Sequence, residues 1–189
     1  VLAGVNKGKL LNIYISGGLT GTQTIGLLVG KNEGLISDAD VEGQVRSIFD
    51  ISDEDQSDKS SNIGLLAGEN YNQIKNAHAT GTLSGYEIIG GLVGYNDNGP
   101  IENSSAAVDV TGERIVGGLI GQTSSEDGSV RGSHATGTVS GHESIGGLIG
   151  LLENSEIFES YAEGDIQGDV NTGGLVGMIS HGIIINSHA

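Results

Sequence analysis

Five carboxylates, Asp50, Asp53, Glu54, Asp55 and Asp58, fall within nine consecutive residues. Hard oxygen ligands at that density suit a calcium ion, which takes about six to eight of them. The glycine and terminal glutamate of an EF-hand loop are missing from the run, so a solvated acidic loop over residues 48–61 competes with a Ca²⁺ site at Asp50, Asp53, Asp55 and Asp58. No other cofactor is expected. The five histidines are His78, His134, His142, His181 and His188, and none forms the His-Glu-x-x-His helix that would bring two rings onto one zinc ion. Gly132-Ser133 resembles part of a nucleophile elbow, but Ser104, Ser160 and Ser187 recur at the same place in a repeat and read as structural serines. The glycine-rich hexamers lack the Lys-Ser/Thr ending of a Walker sequence and precede no helix. A polysaccharide lyase or hydrolase needs acids and bases gathered in one groove, whereas Arg46, Arg114 and Arg131 are scattered. The chain is not expected to be an enzyme.

The elements that carry these residues repeat. A leucine embedded in a glycine-rich segment recurs at Leu2, Leu28, Leu66, Leu92, Leu119, Leu148 and Leu175, giving intervals of 26, 38, 26, 27, 29 and 27 residues. A period of this size marks an array of one supersecondary unit, each copy burying its apolar face against its neighbours. One repeat from end to end implies a single elongated domain over residues 1–189, with one insertion in the long interval. Polar caps are not evident at either end, so the sequence reads as part of a longer chain whose further coils would be its neighbours.

A second apolar position follows each leucine, at Leu10, Leu35, Ile74, Ile101, Val130, Ile157 and Ile184. Five residues later stands a small or apolar residue: Ile15, Ala79, Ala106, Ala135, Ala162 and Ala189, with Ala39 displaced by one. Alternation continues through Ala79, Gly81 and Leu83, which is the period of a strand. Gly85, Gly112, Gly141 and Gly168 then read as corners needing positive φ. With no helical period, three short strands per copy predict an all-β fold, a parallel β-solenoid of about seven coils. At about 4.8 Å per coil its length is roughly 34 Å. The glycine-rich segment is apolar on both faces. Either a bend or covering loop hides the second face, or Val93, Ile120, Ile149 and Val176 form an exposed ridge for a partner.

The remaining candidate site is an outward column. His78 and His134 occupy equivalent places two coils, or about 10 Å, apart, too far to share a metal. Tyr14, Asp38, Ser105 and Tyr161 continue the column, so Tyr14, His78, His134 and Tyr161 read either as plain surface or as a binding strip for a glycan or host protein. Paired outward threonines, Thr80 with Thr82 and Thr136 with Thr138, suggest an ice-binding rank, but Asp109, Glu163 and Asp165 interrupt it. A net charge of −16 disfavours nucleic acid and anionic membrane, and no membrane-inserting run is seen. The absence of cysteine excludes disulfides and thiol chemistry.

Ile89 to Asn96, Ser133 to Gly141 and Ile145 to Gly150 resemble the GLUG motif, a repeat of bacterial surface proteins that include adhesin-like proteins and the non-catalytic parts of immunoglobulin A1-specific metallopeptidases. Leu27 and Leu65 depart from it where later copies have glycine. The resemblance implies a secreted or cell-wall setting and a role as rigid spacer or adhesive module. Accessory service to a surface protease or polysaccharide-processing enzyme is a further alternative.

Overall fold

The computed structural model describes residues 1–48 and 61–189. These form an all-β parallel solenoid with three faces, one sheet on each. Sheet A stacks seven strands, Ala3–Asn6, Val29–Asn32, Ala67–Asn70, Val93–Asn96, Ile120–Thr123, Ile149–Glu153 and Val176–Ser180. Seven levels enclose six turns. Sheet C has five strands, from Ile63–Gly64 through Glu87–Gly90 and Arg114–Gly117 to Glu143–Gly146 and Val170–Gly173. Sheet B begins with three long strands, Lys9–Gly21, Leu35–Ser47 and Ile74–Ser84, and continues as shorter pieces in the later coils.

The leucine ladder forms as its spacing predicts. Each leucine stacks on the next coil, as when the Leu66 N–H donates to Leu92 O at 3.0 Å and the Leu119 N–H to Leu148 O at 2.9 Å. Leu28, Leu66, Leu92, Leu119 and Leu148 are fully buried. Removing five such side chains from water supplies roughly 1.5–3 kcal/mol each, the main driving force in so thin a core.

The glycine-rich hexamer is two strands joined by a corner, not one strand. Ile145 and Gly146 end the sheet C strand, Gly147 and Leu148 turn, and Ile149 opens the sheet A strand. The turn rotates the pleat, so Ile145, Leu148 and Ile149 all point inward and all are fully buried. Of the two readings of the second apolar face, the bend is the correct one: Val93, Ile120 and Ile149 are core residues and no exposed ridge exists there. The corner demands glycine in the later coils because a Cβ on Gly91 would lie 2.1 Å from Gly118 O, and one on Gly118 would lie 2.2 Å from Gly147 O. Leu27 and Leu65 stand there in coils two and three and are buried; the Leu27 side chain fills the space opposite Gly43.

Two registers differ from the sequence pattern. Leu10 pairs with Ile36, not Leu35, and Ile15 pairs with Val41, not Ala39, so the sheet B strand of the second coil is shifted by one residue at its start and by two further along, while its sheet A strand keeps the expected register. Ala39 belongs instead to the ladder Ile13, Ala39, Ala77. Gly85, Gly112, Gly141 and Gly168 also do not adopt positive φ. They are small because a Cβ would collide with a core side chain, 2.4 Å from Ile63 Cδ1 at Gly85 and 2.5 Å from Ile89 Cδ1 at Gly112. The left-handed residues lie elsewhere. One corner uses Asn12, Asp38, Asn76, Asn103, Gly132, Glu159 and Asn186, and another uses Ile88, Ile115, Ser144 and Asn171. A β-branched residue there is strained, by about 1–2 kcal/mol.

Two buried polar ladders complete the interior. The Asn6 Nδ2 donates to Asn32 Oδ1 at 2.8 Å, Asn32 to Asn70 at 2.7 Å, and Asn70 to Asn96 at 2.7 Å; Asn96 Nδ2 ends the series on Gly128 O at 3.2 Å. In the second ladder a serine hydroxyl donates to a carbonyl two residues earlier and accepts an N–H from the preceding coil. Ser133 Oγ thus bonds Arg131 O at 2.9 Å and receives the Ser104 N–H at 3.1 Å, and Ser104, Ser160 and Ser187 repeat the arrangement. The serines mark where sheet B strands break, whereas Ile13, Ala39 and Ala77 allow them to run on.

Candidate recognition surface

The proposed calcium ligands Asp50, Asp53, Asp55 and Asp58 lie outside the described residues. Among the described residues no group of three or more acids or histidines is placed to hold a metal.

The outward column is real and slightly different in membership. Register places Tyr14, Asp40, His78, Ser105, His134 and Tyr161 on successive coils, with His188 bridged to Tyr161. Asp38 is not a member; the register of coil two puts Asp40, two residues later, in that place and Asp38 at the adjoining left-handed corner. Sequence spacing therefore brought the four named residues into one line and misjudged the neighbour between Tyr14 and His78.

The column has two chemically distinct halves. In the later coils the rings stack: His134 and Tyr161 lie 4.7 Å apart with planes 2° from parallel, and Tyr161 and His188 lie 5.3 Å apart at 9°. Both faces of Tyr161 are thereby covered by imidazoles. Partial burial in this stack pushes the His134 pKa down, the charge of His78 two coils away adds to the shift, and Glu163 opposes it.

In the first three coils there is no stack. Tyr14 is 67% exposed, and its column neighbour is the carboxylate of Asp40 rather than a ring. Its hydroxyl donates to Glu42 Oε2 at 3.1 Å. The left-handed corner at Asn12, Asp38 and Asn76 bends the long strands, and the outward side chains on either side of the bend border a shallow groove of about 430 Å³. Asn12, Asp38 and Asn76 form one wall; Tyr14, Asp40 and His78 form the other. Asn76 Nδ2 donates to Asp38 Oδ1 at 2.9 Å and the Ser37 hydroxyl donates to Asp38 Oδ2; these two bonds, the serine's first, hold the Asp38 carboxyl below its ordinary pKa. His78 Nδ1 is paired with Ser105 Oγ at 2.8 Å, which leaves its other nitrogen directed away from that bond.

Sequence reasoning missed Asn12, Asp40 and Asn76. The signal was present in the polar residue that stands two places before every column member except His134, which has Gly132 there, but its meaning depends on a backbone bend that composition does not reveal.

The comparisons with known proteins agree with the architecture. No curated protein and no solved structure matches the chain. A family model described as the GLUG motif matches three times, over residues 85–111, 112–140 and 141–167, and each match coincides with one turn of the solenoid. Residues 85–167 thus match the GLUG motif in three consecutive copies.

Proposed function

We propose that the chain is a non-catalytic extracellular module, a rigid spacer or adhesive stalk of a bacterial surface protein. The observation that carries this reading is the unbroken inward column from Leu28 to Leu148, fully buried at every level. Successive coils are held together by parallel backbone pairing, on all three faces from the third coil onward, and by side-chain ladders inside, so bending must break several at once. Such a body transmits length without a flexible joint. The GLUG match supports the surface setting, since these repeats occur in extracellular bacterial proteins.

The test is replacement in a bacterial surface protein that carries this chain. Exchange for an unrelated solenoid of equal length should leave surface attachment intact, while a flexible Gly/Ser linker of equal residue count should abolish it. Loss of attachment with the rigid substitute overturns the spacer reading.

A second reading is supported by the groove beside Tyr14: a recognition module that uses the outward column to contact a glycan or host protein. Polar side chains on both walls and a largely exposed ring are the features such contact requires.

A further inference from the structure

We propose that the groove over the first three coils binds an uncharged oligosaccharide, with the exposed ring of Tyr14 as its platform. The proposal rests on the reading of the outward column as a recognition surface and assigns the ligand class. Three features converge on it. First, the donors and acceptors match vicinal hydroxyls, each of which both donates and accepts. The carboxylates of Asp38 and Asp40 are acceptors, the amides of Asn12 and Asn76 supply both functions, and His78 adds a ring nitrogen. Second, the Asn76–Asp38 and Tyr14–Glu42 hydrogen bonds fix both walls before any ligand arrives, which limits the side-chain ordering that binding would cost. Third, the axial line of the groove crosses three stacked coils, so equivalent groups recur along it at about 4.8 Å and suit a linear polymer of repeating units.

The charge selects the class further. Asp38 and Asp40 lie in a chain of net charge −16, and the hydrogen bonds to Asp38 keep that carboxyl ionised. Uronates, sulfated glycans and sialylated ends are repelled by these carboxylates, while the hydroxyls of neutral sugars can donate to them and also use the amides of Asn12 and Asn76. The same column in the later coils is not part of the site, because Tyr161 has His134 on one face and His188 on the other and offers a ligand only its edge.

Saturation-transfer NMR and calorimetry with cellotetraose, chitotetraose and tetragalacturonate would test this. At least one neutral tetrasaccharide should bind with a Kd near the millimolar range, as suits a shallow open groove. Tyr14→Ala and Asp40→Asn should each weaken it about tenfold or more with unchanged circular dichroism, and Tyr161→Ala should leave it within about twofold. Tetragalacturonate should bind at least about tenfold more weakly. Three results would overturn the proposal: no neutral tetrasaccharide binding up to about 10 mM, equal loss in Tyr14→Ala and Tyr161→Ala, or preference for tetragalacturonate. Capture of a host protein that is lost in Tyr14→Ala, with no saccharide binding, would sink the glycan class yet keep the recognition surface; absence of both would remove the two together.

Discussion

At the position four residues beyond each ladder leucine, buried in every coil but the last, the first four coils carry Asn6, Asn32, Asn70 and Asn96, and the last three carry Thr123, Leu152 and the exposed Ile179. The backbone there is the same, parallel and in register throughout. What differs is how much each coil depends on the identity of its neighbour. An amide in this position must find an amide above and below, whereas a leucine needs only something apolar of similar volume. A similar contrast runs down sheet B, where Ile13, Ala39 and Ala77 give way to Ser104, Ser133, Ser160 and Ser187. Polar ladders make the stack specific and brittle; apolar ladders make it tolerant.

The harshest way to break that contrast is to charge the ladder common to both regions. Leu119→Asp buries an unpaired carboxylate at a fully buried site and should cost several kcal/mol, on the scale of the whole fold's stability, seen as loss of cooperative unfolding in urea. Asn70→Leu acts on one region only. It strips the acceptor from Asn32 Nδ2 and the donor from Asn96 Oδ1, and should destabilise by about 3 kcal/mol. Thr123→Val, at the equivalent place one coil past the amides, loses a single 3.3 Å bond from Glu153 N and should cost about 1 kcal/mol. Equal costs would mean that the amide series contributes nothing as a series. Ser133→Ala leaves the Ser104 N–H without its acceptor and should cost about 1–2 kcal/mol in the same urea titration, more than any change at the freely exposed Thr136.

Smaller effects sharpen the comparison. Ile115 sits at φ 52 in a corner that later coils fill with Ser144 and Asn171. Ile115→Asn should therefore raise the midpoint by about 0.5–1 kcal/mol; a decrease would show that its half-buried side chain outweighs the backbone strain. Finally, two histidines should titrate on opposite sides of the ordinary value of about 6.5. Burial depresses His134, so its contribution to stability is complete above that value and is lost as pH falls through the lowered folded pKa. The hydrogen bond to Asp169 at 2.9 Å raises His142, so its contribution is complete below that value and is lost as pH rises through the elevated folded pKa. Ring-proton NMR between pH 4 and 9 reads both, and coincident titration would refute the assignment.

The leucine period, the alternation of Ala79, Gly81 and Leu83, and the lack of any helical spacing were enough to read three-sided parallel stacking, because like residues recur wherever like environments recur. Register in coil two was not legible: Leu35 and Ile36 are both apolar, and only the backbone pairing decides between them. The corner at Gly147 and Leu148 was equally hidden, since a bend and a two-faced strand have the same residue pattern. Asparagine at a fixed distance from the first four leucines was visible but resembled surface polarity, because nothing local says that four amides satisfy one another inside. The column of Tyr14, His78, His134 and Tyr161 was legible as a line; its division into an open groove and a closed stack depends on whether Asp40 or a ring lies next to each tyrosine.

The buried asparagines also have a direction. Every Nδ2 points toward the later coil, and the run ends on Gly128 O, a backbone carbonyl that can only accept. Turning one amide over would set oxygen against oxygen on one side and nitrogen against nitrogen on the other, so the four can invert only together, and the Gly128 carbonyl forbids it. Within the first three coils the same orientation is set locally as well, since the Oδ1 of Asn6, Asn32 and Asn70 each accepts the backbone N–H two residues on, and the stack has a polarity along its axis that its near-identical backbone levels do not.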